Sequence, residues 1–386
     1  MHLVFWQPIP SFHQEGFLSA LAQADWVDSV TLKYEFELPQ SRRQSGWRDG
    51  VFEGVKLEQI QKDEIPADTT AHIHIFTGFQ THPGVWAAFH RIPKKAQCRR
   101  FTFAEAPECV GWVGFLRFMK YKMASWKIAP RLDGMLAMSQ LGVDFYRSVL
   151  PQSVPVHEFA YYDVSLSDFP DLHAVDVADT DSHQSAPLKS QVSGLQSPPS
   201  SLRPPVSPLR SQNYRFLCVG QLIHRKGVDR LLRALAALPD RGWTLDLVGD
   251  GNQRAKLEEM AERLGIASQL KWHGSLPSAE LASFYQSADC LVLPSRWDGW
   301  GMTVNEALRF GCDVLVTETC GAASAVPQSA RLPKHTGLWT QFLETKIHGG
   351  ALDHAARAAN QQLAKSLSGE AGAARLKAIL TGSNEY

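Results

Sequence analysis

Residues 295–311 read SRWDGWGMTVNEALRFG and place two carboxylates, Asp298 and Glu306, on either side of a Gly-Trp-Gly turn. The apolar run before this stretch predicts a buried strand, and the residues after the turn predict a helix that Gly311 ends. Glu306 then lies in the first helical turn. One explanation is local, because a glutamate there favours the positive end of the helix dipole and Asp-Gly is common in turns. The alternative is that both acids face a ligand.

Strands and helices alternate on both sides of this stretch. Runs such as YRFLCVG, WTLDLVGDG and DCLVLPS predict strands, and VDRLLRALAAL and QRAKLEEMAERLG predict helices. The first half of the chain alternates in the same way from HLVFW onward. We therefore expect an α/β protein with two Rossmann-like, doubly wound domains that face a cleft, at residues 1–165 and 213–386, the second with a helical tail. Residues 166–212 are acidic and then Ser/Pro-rich, which predicts a mobile linker or a surface insertion.

The composition narrows the class of protein. A chain of 386 residues is too long for one hydrophobic core, so two domains are expected. Lys plus Arg and Asp plus Glu both total 39, so no net charge favours nucleic acid as a partner. The six cysteines form no Cys-x-x-Cys pair, which indicates reduced thiols rather than disulfides or metal ligands. The first residues lack a signal-peptide pattern and no apolar run reaches transmembrane length, so we expect a cytoplasmic protein.

Two further loops follow predicted strands of the second half, and ligands bind at such strand ends in parallel sheets. The loop 220–227, GQLIHRKG, carries Arg225 and Lys226 just before a helix. Backbone N–H groups and two cations there can hold a diphosphate; alternatively, the cations are ordinary surface residues of a turn. The loop 249–252, GDGN, has glycines that let a ligand approach the backbone, although turns often use the same sequence.

The order of these motifs over residues 214–326 resembles the donor-binding half of the family 4 retaining glycosyltransferases, which have the GT-B fold. The resemblance rests on the VGxL…KG opening, LVGDG, LxWHGxL, the strand ADCLVLPS and an acid–seven–acid pattern that ends in EALxxG. It implies that the chain binds a nucleotide sugar at the carboxyl edge of its second sheet.

The resemblance also implies a role for each matching residue. Glu306 would bind the ribose hydroxyls, and Asp298, one methylene shorter than the usual glutamate, would bind the sugar hydroxyls. Lys226 would bind the diphosphate, and Arg225 would substitute for the arginine that is common where this chain has Gln221. The implied donor-binding residues are Gly220, Gln221, Arg225, Lys226, Gly249, Gly251, Asp298, Gly299, Trp300, Gly301, Met302, Thr303 and Glu306. The residues expected to carry catalysis are Asp298, Glu306, Lys226 and Glu105.

The first half departs further from the family pattern. Its first loop, PIPSFHQEG, lacks the Gly-Gly pair of many relatives, and Ser11, His13 and Gln14 are the candidates for donor contacts there. Glu105 ends the strand FTFAE, near where relatives offer a polar group to the sugar or acceptor; alternatively, it caps a helix. His82 follows another strand and is either a further candidate or an ordinary turn histidine.

The stretch 115–131, FLRFMKYKMASWKIAPR, contains five cations and no acid. At helical spacing its large apolar side chains share one stripe, which predicts either core packing beneath a solvated basic face or contact with anionic lipid. The stripe consists of Phe115, Met119, Met123 and Trp126. The residues expected at a lipid surface are Arg117, Lys120, Lys122, Trp126 and Lys127.

Together these patterns predict a glycosyltransferase that moves a hexosyl-type sugar from a nucleotide-diphosphate sugar to a glycan or lipid-linked acceptor. The resemblance implies retention of configuration, no cofactor and no obligatory metal. It also suggests assembly of cell-surface polysaccharide or glycolipid, at the inner face of the cell membrane. Two alternatives stay open: an epimerase of nucleotide sugars with the same fold, and a non-catalytic relative that binds nucleotide sugars.

Overall fold

The computed structural model describes residues 1–40, 43, 48–79, 81–163 and 213–383. The segment 166–212, predicted as a linker or insertion, lies outside these residues. The described chain forms two parallel β-sheets connected by helices, which confirms the predicted α/β, doubly wound class.

The N-terminal sheet is built from the first half of the chain. Its strands are β1 (His2–Gln7), β2 (Ser29–Tyr34), β3 (Val55–Gln59), β4 (His72–Thr77), β5 (Arg99–Glu105), β6 (Gly134–Met138) and β7 (Val156–Phe159). They run parallel in the order β3-β2-β1-β4-β5-β6-β7. The connecting helices are α1 (Glu15–Ala22), α2 (Pro83–Arg91), α3 (Gly111–Ile128) and α4 (Ser139–Val149).

The C-terminal sheet has the order β10-β9-β8-β11-β12-β13 and is also parallel. Its strands are β8 (Tyr214–Val219), β9 (Trp243–Val248), β10 (Leu270–Gly274), β11 (Cys290–Leu293), β12 (Asp313–Thr317) and β13 (Arg331–Leu332). Its helices are α5 (Val228–Ala236), α6 (Arg254–Arg263), α7 (Ser278–Ser287), α8 (Thr303–Arg309), α9 (Trp339–Gly349), α10 (His354–Lys365) and α11 (Gly369–Thr381).

Both faces of each sheet are covered by apolar layers. In β8, Phe216 and Cys218 join one buried cluster, whereas Leu217 and Val219 join another on the opposite face. Strands buried on both faces need continuous apolar runs, and all four residues of β11 are buried. This is why the central strands are the clearest signals in the sequence.

The position of the cleft follows from strand order. In the N-terminal sheet the order reverses between β1 and β4, and in the C-terminal sheet between β8 and β11. Loops on either side of such a switch point diverge to opposite faces of the sheet and leave a crevice at the carboxyl edge. Residues of both halves line one cleft of about 500 Å³, so the two carboxyl edges face each other.

The last helix, α11, returns to the N-terminal half. Its apolar face, which includes Leu376, joins the buried cluster around Leu3 and Phe5 of β1. The Arg99 side chain donates to the carbonyl of Leu380 at 2.7 Å. Since α11 follows the C-terminal sheet in sequence but packs on the other sheet, it ties the two halves together.

We predict that Leu376→Ala lowers the free energy of unfolding by about 2–5 kcal/mol, because it leaves a cavity in a fully buried contact. Urea denaturation followed by circular dichroism measures this loss. Lys377→Ala, which removes a half-exposed neighbouring side chain, should stay within about 0.5 kcal/mol of the parent chain. Equal losses in the two variants would show that α11 does not join the core.

Candidate functional site

Asp298 and two cations meet at the carboxyl edge of the C-terminal sheet. Lys226 Nζ lies 2.5 Å from Asp298 Oδ2, and Arg225 Nη1 lies 3.4 Å from Asp298 Oδ1. The side chains of Asp298 and Lys226 keep only 13% and 19% of their surface exposed. Partial shielding strengthens such ion pairs. This acid–cation cluster therefore holds two positive charges ready for an anion that competes with Asp298.

Arg296, which the sequence analysis did not single out, joins the two loops that carry the cluster. Its guanidinium makes two hydrogen bonds to Asp229 in the first turn of α5, at 2.6 and 2.8 Å, and one to the carbonyl of His224 at 3.0 Å. Burial alone would raise the pKa of Asp229, but the hydrogen bonds from Arg296 and Arg233 lower it to about 2. The pair therefore fixes the distance between the loops.

The turn after Asp298 consists of two glycines on either side of a tryptophan. Trp300 is buried, and its indole Nε1 donates to Asn305 Oδ1 at 2.9 Å. The backbone N–H groups of Gly299, Trp300 and Gly301 have no protein acceptor within the described part of the chain. Three unused donors beside the cluster suit an oxygen-rich ligand.

Glu306 lies in the first turn of α8 and lines the 500 Å³ cleft. The Tyr285 hydroxyl donates to Glu306 Oε2. Burial raises the pKa of Glu306, and the bond from Tyr285 acts in the opposite direction. The carboxylate is thus held by one donor while its other oxygen stays available to a ligand in the cleft.

The predicted start and end of this helix agree with the structure. Met302 caps α8, which begins at Thr303, and Gly311 follows its last turn with a φ of 72°. The Thr303 hydroxyl is buried and has no hydrogen-bond partner among the described residues. Glu306 therefore lies in the first turn of α8, as the sequence predicted.

The glycines of the other two loops have a packing role. A Cβ at Gly249 would lie 2.0 Å from the carbonyl oxygen of Gly220, and one at Gly251 would lie 2.5 Å from that of Leu222. Only glycine therefore lets the two loops touch. Gln221 is exposed at their edge.

The N-terminal candidates divide into two groups. Glu105 lies against the Gly-Trp-Gly turn at Gly299, and His13 lines the same cleft as Glu306. Gln14 is buried and bonded to the Gln7 side chain. Ser11 precedes a short helical turn and His82 precedes α2, and neither is bonded to the acid–cation cluster in the described structure. Ser11, Gln14 and His82 therefore stay predictions.

Asp163 is a further acid that the sequence analysis missed. It lines the cleft beside Glu306 and accepts from Asn305 Nδ2 at 2.6 Å. Burial raises the pKa of Asp163 to about 7, although the bond from Asn305 opposes this. A single acid at the edge of a low-complexity segment carries no pattern by which the sequence could reveal it.

The apolar stripe of α3 faces outward. Trp112 and Trp126 keep 72% and 70% of their surface exposed, whereas Gly114, Ser125 and Ile128 point inward. The same exposed surface includes Val110, Val113, Phe115, Leu116, Met119 and Met123. The core-packing explanation of this stripe is therefore wrong. No helix in the described residues is long and apolar enough to cross a bilayer.

The sequence of the C-terminal half is similar to known glycosyltransferases. Residues 203–342 match the family model described as glycosyl transferases group 1. Over 117 residues the chain is 34% identical to the lipopolysaccharide glucosyltransferase WaaG of Escherichia coli K12. This match covers 30% of the chain and 31% of WaaG, so the chain spans about a third of the length of that relative.

Two of the similar solved structures cover 99% of this chain. The lipopolysaccharide outer core galactosyltransferase WaaB, in its apo form, has a TM-score of 0.68 at 15% identity and covers 99% of both chains. HepE of Anabaena in complex with UDP-glucose has a TM-score of 0.63 at 13% identity, over 99% of this chain and 100% of HepE. At such identities the likeness establishes the fold, which is GT-B as the resemblance implied.

We predict that Arg296→Ala destabilises the chain at pH 7 by about 1–2 kcal/mol, a value that allows for solvent screening. The pKa of Asp229 in the folded chain is about 2, below its ordinary value of 3.8. The ion pair therefore contributes its full stabilisation of the fold above pH 3.8. Its contribution disappears as the pH falls through the folded pKa. In thermal denaturation, the melting temperatures of the parent chain and the Arg296→Ala variant should therefore converge as the pH is lowered from 7 to 2. Arg233→Ala, which removes the more exposed partner of Asp229, serves as control and should cost less.

Proposed function

We propose that this chain, whose residues 203–342 match the glycosyl transferases group 1 model, is a retaining hexosyltransferase that uses a nucleotide-diphosphate sugar. Its acceptor would be a glycan or a lipid-linked glycan of the cell surface. The observation that carries the proposal is that one Gly-Trp-Gly turn separates the acid–cation cluster from Glu306, which lines the cleft. Retention is supported by the motif resemblance.

The acid–cation cluster suits a diphosphate leaving group. Lys226 and Arg225 neutralise an entering diphosphate, and this releases the Asp298 carboxylate to accept hydrogen bonds from sugar hydroxyls. When the bond between the anomeric carbon and the phosphate oxygen breaks, negative charge grows on that oxygen. Two fixed cations stabilise the developing charge more than the ground state.

Glu306 suits the nucleoside end of the donor. A carboxylate oxygen at the cleft wall can accept hydrogen bonds from both hydroxyls of a ribose, while Tyr285 holds the other oxygen. In this arrangement Glu306 binds the ribose and Asp298 binds the sugar. The diphosphate, which joins the two, lies at the cations. The backbone N–H groups of the turn supply further donors to the sugar or phosphates.

We predict that UDP, GDP or ADP, alone or as the nucleotide sugar, raises the melting temperature of the chain, because a ligand that binds only the folded state stabilises it. Glu306→Gln should weaken the selected ligand about 10- to 100-fold, as expected for losing a hydrogen bond to a charged group. Isothermal calorimetry measures the affinity. Glu259→Gln, an exposed change on α6, is the control and should bind like the parent chain.

The products decide between the proposed reaction and the alternatives. Sugar transferred to an added glycan or glycolipid acceptor, with unchanged anomeric configuration by NMR, supports a retaining transferase. Conversion of the donor into its epimer without acceptor would instead identify an epimerase. Tight donor binding with neither reaction would indicate a non-catalytic relative, and no binding by any nucleotide would refute the proposal.

We also infer that the α3 apolar face, defined by Val110, Trp112, Val113, Phe115, Leu116, Met119, Met123 and Trp126, docks on an anionic membrane. Large apolar side chains that are exposed together mark an interaction surface. Residues 109–132 contain Arg117, Lys120, Lys122, Lys127 and Arg131 but no acid, so their charge complements an anionic lipid surface. WaaG and WaaB, by name, act on lipopolysaccharide, which supports a membrane-bound acceptor. The chain would then work at the cytoplasmic face of the cell membrane.

We predict that the chain co-sediments with vesicles of phosphatidylglycerol and phosphatidylcholine and leaves them as salt rises. Each cation near the surface contributes about 1 kcal/mol, screened over roughly 10 Å. Lys120→Glu with Lys127→Glu should abolish sedimentation, while Lys256→Glu with Lys271→Glu, an equal charge change in the C-terminal half, should not. Trp126→Ala should weaken binding at all salt concentrations, because it removes apolar area. Absence of binding at low salt would favour a soluble acceptor.

A further inference from the structure

Tyr161 links the two halves of the chain at the cleft. It follows β7, at the point where the chain leaves the N-terminal sheet. Its hydroxyl donates to Glu105 Oε1 at 3.0 Å, in the N-terminal half. Its backbone carbonyl accepts from Asn305 Nδ2 at 2.9 Å, in the C-terminal half. One residue is thus held by both halves, through different atoms.

The Glu105 carboxylate faces the turn that follows Asp298. A Cβ at Gly299 would lie 1.7 Å from Glu105 Oε2, so the carboxylate rests directly against the glycine backbone. Tyr146 fixes the backbone of Glu105 by donating to its carbonyl at 2.9 Å. The backbone is therefore set by Tyr146, and the direction of the carboxylate by Tyr161.

The opposite end of the link is equally constrained. Asn305 is fully buried on α8, and its Oδ1 accepts from the indole of Trp300, the middle residue of the turn. The rings of Tyr161 and Trp300 meet edge to face, with centroids 6.0 Å apart. These contacts couple the turn, Asn305 and Tyr161, so a displacement of one displaces the others.

We infer that Tyr161 is a positioning residue that aims the Glu105 carboxylate at the sugar-binding turn and makes this aim depend on closure of the two halves. This inference rests on the proposed function, in which the turn holds the donor sugar. If the halves separate, Asn305 withdraws the Tyr161 backbone, and Glu105 loses its hydrogen-bond donor. The carboxylate is then correctly placed only in the closed chain.

The charges around Glu105 give the inference a measurable consequence. The protein atoms packed around Glu105 raise its pKa, the bond from Tyr161 lowers it, and the nearby Asp298 raises it, with Arg225 and Lys226 opposing. Because Tyr161 stabilises the ionised carboxylate, removing its hydroxyl moves the pKa of Glu105 further upward. If the reaction needs this carboxylate ionised, its rate then begins to fall at a higher pH as the solution is made more acidic.

Tyr161→Phe tests the inference, because the ring contacts and the backbone carbonyl remain. Transfer or hydrolysis is followed with UDP-glucose, UDP-galactose and GDP-mannose as probes. We expect kcat to fall about 10-fold or more, as for losing a hydrogen bond to a charged group, with the donor KM within about twofold. The acidic limb of the kcat profile should move to higher pH. Tyr34→Phe is the matched control: it removes a hydroxyl bond to the exposed Glu37 carboxylate in the same half and should leave kcat and the acidic limb in place.

A double-mutant cycle identifies the residue through which Tyr161 acts. If it acts through Glu105, then Tyr161→Phe costs nothing further in a Glu105→Gln background. Additive losses, or an unshifted acidic limb in an active parent chain, would overturn the inference and leave the proposed function intact. A parent chain that neither binds nor converts any probe would refute the proposed function itself.

Discussion

The pairing of Asp298 with Lys226 and Arg225 is the interaction on which the rest of the site depends. An acid held by two cations is stable without a ligand, yet an anion can replace it at those cations. Asp298 lies 72 positions after Lys226, and the two meet because β8 and β11 are neighbours at the switch point of the sheet. Arg296 and Asp229 then hold the two loops at the required distance, so little reorganisation is left to ligand binding.

Close approach of backbones is the second constraint. The loops after β8 and β9 touch at Gly220 and Gly249, and the turn beside Asp298 touches the N-terminal half at Gly299. A side chain at either contact would push polar groups apart and admit water. For the charged donor that we propose, excluding water would strengthen each ion pair and hydrogen bond. The glycines therefore serve the electrostatics of the cleft as much as its shape.

The α3 helix shows where sequence reasoning reached its limit. Its periodicity predicted an amphipathic helix and its cations suggested a lipid surface, but the same pattern suits a core helix. The structure places Ser125 and Gly114 inward and the aromatic residues outward. Helical periodicity identifies a face; only packing against the sheet decides whether that face is buried or exposed. Asp163 and Tyr161 escaped prediction for a related reason, since neither belongs to a local pattern.

By itself the sequence determined the α/β class, the helix after Asp298 and the loops at the strand ends, because strands buried on both faces, turn glycines and helix ends leave local signatures. Only the tertiary structure decided that Glu105 meets Gly299, that Tyr161 is held by Asn305, and that α11 returns to the first sheet. These contacts join residues from different halves of the chain, and no periodicity or spacing encodes them. They form only when the carboxyl edges of the two sheets meet and α11 packs on the first sheet, so the free energy of burying these groups belongs to the assembled fold.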